Sequence, residues 1–147
     1  MMQVQFPQPD FNIRTEGEKR YIFDAIRKAW LVLTPEEWVR QNFVAYLTKV
    51  LNYPAAFIAL EKELLLNGLK KRFDVLVYDA VHEPWMMVEC KAPGVKLSEA
   101  VLQQLLRYNI AVPVTYLVIT NGEATAGWKK QDGVLKQLNE LPLPSLF

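Results

Sequence analysis

Arg72-Phe73-Asp74-Val75-Leu76-Val77-Tyr78 and, after a short gap, Trp85-Met86-Met87-Val88-Glu89-Cys90-Lys91 are the two runs that decide the fold. Both are apolar and rich in β-branched and aromatic residues. Between them, Asp79-Ala80-Val81-His82-Glu83-Pro84 carries turn residues and a strand-breaking proline. The pattern predicts a β-hairpin with a loop of several residues. Folding the hairpin about a midpoint between Val81 and His82 sets Asp74 opposite Glu89. Side chains alternate faces along a strand, so Glu89 and Lys91 share one face and Cys90 points to the other. Residues directly opposite in an antiparallel pair share a face, with Cβ atoms about 5 Å apart. Two carboxylates and one ammonium are therefore expected to converge at one end of a largely buried sheet.

Like charges that close repel, and burial makes their ionisation costlier still. A divalent cation resolves the conflict. Mg²⁺ takes oxygen ligands, often one or two carboxylates, and leaves its other positions to water and phosphate. It acidifies bound water and stabilises charge developing on a phosphoryl oxygen. Lys91 is placed to donate to the same oxyanion or to orient the attacking water. The arrangement suits metal-assisted phosphodiester hydrolysis, with Mg²⁺ as the cofactor and Mn²⁺ as its substitute.

Working outward, Thr34-Pro35-Glu36-Glu37 is a helix start. Threonine caps, proline fits the first helical position, and Glu37 completes a capping box. The helix is expected to run to about Leu51, with Val39, Phe43, Tyr46, Leu47 and Val50 on its apolar face. Glu36 precedes Val39 by three and Phe43 by seven, which puts it on the core-facing stripe at the first turn. Both glutamates also complement the helix dipole. Residues from Ala56 to Leu65 read as a strand, with Asn67-Gly68 as the turn into the Asp74 strand. Glu61 on that strand is within reach of the site from a neighbouring strand, but an exposed edge residue is the favoured reading. Pro93-Gly94 breaks the chain after Lys91. Ser98 caps a second helix whose apolar face is Val101, Leu102, Leu105, Leu106 and Tyr108-Asn109; Gln104 and Tyr108 are neighbours at i, i+4. Thr115 to Thr120 is a buried, β-branched run, expected to lie parallel to the Glu89 strand through a right-handed crossover. Asn121-Gly122 turns the chain into a returning strand over 124–130, with Trp128 inward, and Asp132-Gly133 opens a last extended piece. Before the first helix, Tyr21-Ile22-Phe23 and Ala29-Trp30-Leu31-Val32-Leu33 predict a small hairpin, with a helix over Phe23 to Trp30 as the rival. Residues 1–17, polar with two prolines, read as irregular or as a docked arm.

Asp74, then Glu89-Cys90-Lys91 with fourteen residues between, resembles the D…(D/E)xK core of the PD-(D/E)xK nucleases. The closer resemblance is to the N-terminal nuclease domain of type I restriction enzyme R subunits and its small stand-alone relatives. It is carried by Leu33-Thr34-Pro35-Glu36-Glu37-Trp38-Val39-Arg40-Gln41, Lys71-Arg72-Phe73-Asp74, Val88-Glu89-Cys90-Lys91-Ala92-Pro93, Gln104-Leu105-Leu106-Arg107-Tyr108-Asn109 and Thr120-Asn121-Gly122, in that family's order. Phe73 departs from the proline of the superfamily's name. The resemblance implies an α/β (α+β) fold with a restriction-endonuclease-like αβββαβ core, a mixed central sheet flanked by helices, and the N-terminal β-hairpin outside it. It implies one nuclease domain over 1–147, with its core at about 34–130 and an extension over 1–33. Asp74 and Glu89 would bind metal with the Cys90 backbone carbonyl as a further ligand. Lys91 would assist catalysis. Glu36 or Glu37 would complete the metal shell, and Gln104 and Tyr108 would support the site. DNA is the implied partner, with translocase and specificity subunits beside it. Rival readings are a structure-specific or repair nuclease of the same superfamily, or a non-catalytic DNA-binding module that keeps the fold. Competent residues at every catalytic position argue against the second.

Composition bounds these expectations. The 147 residues are 51% hydrophobic and 12% aromatic, enough to fill a core. The start lacks a basic n-region and a long apolar stretch, and no apolar run reaches about 18 residues. One cysteine excludes an internal disulfide and agrees with a reducing cytoplasm. A single histidine, His82 in the turn, excludes a His-based zinc site or a Ser-His-Asp triad within the chain. Net charge is only +1. Contact with DNA must then come from local clusters: Lys70-Lys71-Arg72, Lys91 with Lys96, and Lys129-Lys130. Of these, Lys71, Arg72 and Lys96 are the expected DNA-binding residues.

Overall fold

The computed structural model describes residues 1–66 and 68–144. Helix α1 (Pro35–Ala45) begins as its sequence dictates: Thr34 Oγ1 accepts from the Glu37 N–H at 3.0 Å, and Pro35 occupies the first turn. A π-helical turn over Tyr46–Val50 replaces the expected last turn of regular helix. The wider turn moves Val50 off the apolar stripe, and it is exposed. Asn52, at φ +64°, closes the segment.

A short 3₁₀ turn at Ala55–Phe57 then leads into β4 (Ile58–Leu66), β5 (Leu69–Tyr78) and β6 (Pro84–Cys90), the expected meander. Of the Asn67-Gly68 turn, Asn67 lies outside the described residues, while Gly68 adopts φ +80°. Helix α2 (Glu99–Asn109) is capped by Ser98, whose Oγ accepts from the Val101 N–H at 3.3 Å. Strands β7 (Tyr116–Thr120), β8 (Thr125–Gln131) and β9 (Val134–Gln137) complete a six-stranded sheet in the order β4-β5-β6-β7-β8-β9. Its pairings are antiparallel except for β6 with β7, which is parallel. The architecture is a mixed α+β fold with the expected αβββαβ order. One core, with Val39, Phe43, Leu47, Val75, Val77 and Val88, lies beneath α1. The other, with Phe73, Leu76, Met87, Leu102, Leu106 and Trp128, lies beneath α2. Each helix thus covers one face of the sheet.

The N-terminal region is more ordered than its composition suggests. Tyr21 and its neighbours form the expected hairpin, β2 (Lys19–Asp24) with β3 (Ala29–Val32). A third strand, β1 (Ile13–Glu16), pairs with β2 inside the stretch read as irregular. All four β1 residues are exposed, so backbone pairing holds it and no apolar alternation betrays it. Met2 docks on the main sheet, its N–H bonded to the Thr125 carbonyl at 3.1 Å. Among the described residues no helix is long and apolar enough to cross a membrane.

Candidate active site

The hairpin register sets the geometry. Val75 pairs with Val88 and Leu76 with Met87. One step further along the same register brings Asp74 level with Glu89. Asp74 Oδ2 accepts from the Cys90 N–H at 2.7 Å. Cys90 itself is buried in the α1-side core, as alternation requires. Its sulfur is far from ionisable: burial first, then the nearby Asp74 carboxylate, pushes its pKa well up.

Asp74 sits where two strands change face. Val75 packs in the α1-side core and Phe73 in the α2-side core, although strict alternation would place both on one face. Across the ladder, Leu60 and Leu64 divide between the same two cores. Glu61 lies between the pairs Leu60–Val75 and Lys62–Phe73, opposite Asp74, and takes a left-handed φ of +52°. The flip puts Glu61 and Asp74 at a seam between the cores. Glu61 is therefore no exposed edge residue. Its side chain is 22% exposed and bridges two arginines, accepting from Arg40 Nη1 and Arg72 Nε at 2.5 Å each.

The two first-turn glutamates of α1 part company. Glu37 is buried and occupied: Arg27, Arg40 and Gln41 all donate to it. Glu36 is nearly half exposed and meets Arg40 Nη2 at 3.4 Å. It also raises the pKa of both Asp74 and Glu89 by its charge. Glu36 and Asp74 thus share Arg40 Nη2, while Glu37 is tied to the fold.

The electrostatics are those of crowded acids. Burial raises the Asp74 pKa, opposed by the Cys90 N–H and Arg40 and abetted by Glu36 and Glu61. Glu89 is pushed up to about 7, first by burial, then by the Asp74 charge; Lys91 and Lys71 pull it back. Lys91 Nζ stands 3.8 Å from Glu89 Oε1, so the expected face-sharing pair is present. Among the described residues no three Asp, Glu, His or Cys side chains already converge on one metal position. What is present is a hard-oxygen donor set, held close and under-compensated, and its chemistry fits Mg²⁺ or Mn²⁺. Asp74, Glu89 and Glu36 would hold such an ion.

Other expected residues are placed less centrally. Tyr108 is 72% exposed and so does not belong to the apolar face of α2. Lys71 Nζ lies 3.5 Å from its ring centroid and bonds its carbonyl at 3.0 Å. Because Lys71 also acts on Glu89, it links Tyr108 to the acids. Gln104, one helical turn from Tyr108, is exposed, as is Lys96. Arg72 is exposed but paired with Glu61. Lys130 is spent on the carbonyls of Ile110 and Val112. Arg40 is the member that sequence reasoning missed, while Glu61 takes the approach from the neighbouring strand that was its less favoured reading. Arg40 follows Glu36 by four, and that spacing was the available signal.

A sheet with a helix on each face and an acid cluster at a strand seam is the class that these features define. A family model described as the type I restriction enzyme R protein N terminus matches residues 35–142, most of the chain. The chain belongs to this family. None of the curated proteins matches it.

Proposed function

We propose that this chain is a Mg²⁺-dependent deoxyribonuclease of the PD-(D/E)xK type, cutting DNA as the nuclease part of a restriction system. The observation that carries the reading is Asp74 level with Glu89 on adjoining strands, with Lys91 beside Glu89. Family membership supports a restriction-enzyme role and DNA as substrate. Asp74, Glu89 and the Cys90 carbonyl would bind the ion, with Mn²⁺ as a substitute, and Glu36 would complete its shell. The bound ion would supply an acidified water and charge neutralisation at the phosphate. Lys91 would orient the attacking water and donate to the phosphoryl oxygen as charge builds there. Water adds across the ester bond: its oxygen bonds to phosphorus, the phosphorus–oxygen ester bond breaks, and the proton that the water gives up is balanced by the one that the leaving oxygen takes from solvent. Gln104 and Tyr108 line the approach with Lys71. Arg72 and Lys96 are exposed cations for the DNA backbone. Translocase and specificity subunits would deliver the DNA, which suits a chain of net charge +1.

Incubation of linear, circular and branched DNA with Mg²⁺ tests the reading, with Asp74→Ala and Lys91→Ala as controls. Cleavage abolished in both variants is expected. Preference for branched DNA would favour a repair nuclease of the same superfamily. DNA binding without cleavage, and without thermal stabilisation by Mg²⁺ or Mn²⁺, would replace the proposal with a non-catalytic binding module.

A further inference from the structure

Arg40 is the most heavily committed cation in the molecule's centre. Its side chain is 6% exposed and faces four carboxylates. Nη1 donates to Glu37 Oε1 at 3.3 Å and to Glu61 Oε1 at 2.5 Å. Nη2 meets Glu36 Oε1 at 3.4 Å and Asp74 Oδ1 at 3.8 Å. Nε is buried and has no hydrogen-bond partner among the described residues. An arginine placed only to join α1 to the sheet would turn to satisfy all its donors. This one leaves a donor orphaned and aims both ends of its fork at the acids. Two of those acids, Glu36 and Asp74, are the ones argued above to meet a cation.

We propose that Arg40 is a positioning residue: its guanidinium holds Glu36, Glu61 and Asp74 in the array that the divalent cation enters, and its charge moderates how tightly that cation is held. The inference rests on the metal-nuclease reading and deepens it. Without a buried cation, the two seam carboxylates and Glu36 beside them repel one another and splay. With it, they stay close before metal arrives. The same charge repels any cation bound through Asp74, and interior screening is too weak to hide it. Arg40 therefore trades metal affinity for carboxylate geometry.

The test is Mn²⁺ titration by calorimetry without DNA, run beside DNA cleavage and thermal melts, on the wild type, Asp74→Ala, Arg40→Gln and Arg40→Lys. Arg40→Gln removes the charge and keeps a polar side chain. It is expected to bind Mn²⁺ at least tenfold more tightly and to turn over at least tenfold more slowly. Arg40→Lys keeps the charge and loses the planar fork. It is expected to bind Mn²⁺ within threefold of the wild type, again with turnover down at least tenfold. Unchanged or weaker Mn²⁺ binding by a folded Arg40→Gln overturns the inference. If that variant does not fold, Arg40→Lys decides: wild-type turnover, or parallel loss of binding and turnover, overturns it. Wild-type protein with no Asp74-dependent Mn²⁺ binding removes the metal-nuclease reading itself, and the inference with it.

Discussion

Asp74 reaches across the hairpin to the backbone of Cys90, its Oδ2 accepting from that N–H at 2.7 Å. One carboxylate oxygen is thus committed to the register of β5 and β6, and Oδ1 is left facing Arg40 at 3.8 Å. The side chain is oriented by the fold before any ligand arrives, as a preorganised site requires.

Asp74→Asn should separate these two roles. The amide oxygen can still accept from Cys90, so the fold should survive, with a melting temperature within about 4 °C of the wild type, equivalent to under about 1 kcal/mol. The charge is gone, so stabilisation by Mn²⁺ should vanish. Thermal melts with and without Mn²⁺ check both. A variant that melts far lower without metal would mean that the charge itself, and not the hydrogen bond, holds the hairpin end.

Glu89 gives the site a pH signature. Its pKa of about 7 lies above the ordinary carboxylate value because burial and Asp74 disfavour the charge. The folded state therefore binds this proton more tightly than the unfolded chain. Its contribution to stability is full below about pH 4.5 and is lost as pH rises through about 7. Metal competes with the same proton. Mn²⁺ affinity should rise about fivefold between pH 6 and 7 and level off by about pH 8. Calorimetry across pH 5.5–8.5 measures the slope, and a flat profile would remove Glu89 from the ion's coordination.

The hairpin was legible because its logic is local. Turn residues bracket a midpoint at Val81 and His82, and the Val75–Val88 pair has the register that this midpoint demands. A shift between Val77 and Tyr78 lies at the far end and leaves Asp74 undisturbed. The parallel β7 was legible for the same kind of reason, an apolar run after strand and helix. The face change at Glu61 and Asp74 was not. It arises from two helices competing for apolar side chains on opposite faces, and alternation within one strand cannot report that. Arg40 stayed hidden with it, since its burial depends on carboxylates that Glu61 and Asp74 bring from the sheet. The π-helical turn and β1 were also beyond a reading of apolar period: one runs into the left-handed Asn52 just past its cap, and the other is held by backbone pairing with all its side chains exposed.

Glu36 and Glu37 should give opposite phenotypes despite being adjacent. Glu37→Gln weakens buried contacts to Arg27 and Arg40, and removing one partner of a buried pair costs about 3–5 kcal/mol. Glu36→Gln alters a side chain that is 46% exposed and should change stability by under about 0.5 kcal/mol. Mn²⁺ affinity should fall in Glu36→Gln and not in folded Glu37→Gln. Urea denaturation and metal titration of both variants would expose a reversed assignment.

Glu61→Gly sets backbone strain against ion pairing. Glycine removes the cost of a left-handed φ, about 1–2 kcal/mol for a residue with a Cβ. It also removes both arginine contacts. The one to exposed Arg72 contributes under about 1 kcal/mol. The one to Arg40 is a charged hydrogen bond to a buried partner, worth about 1.5–3 kcal/mol. At the middle of these ranges loss outweighs relief, so Glu61→Gly should be destabilised by about 1 kcal/mol in urea denaturation. Glu61→Gln keeps the strained φ and one good acceptor, and the two arginines must share it. Its loss should be smaller if the buried contact dominates. A glycine variant more stable than the wild type would show that strain at the seam outweighs the pairing, and would recast the seam as a conformation imposed by the sheet, with Arg40 filling a gap that it did not create.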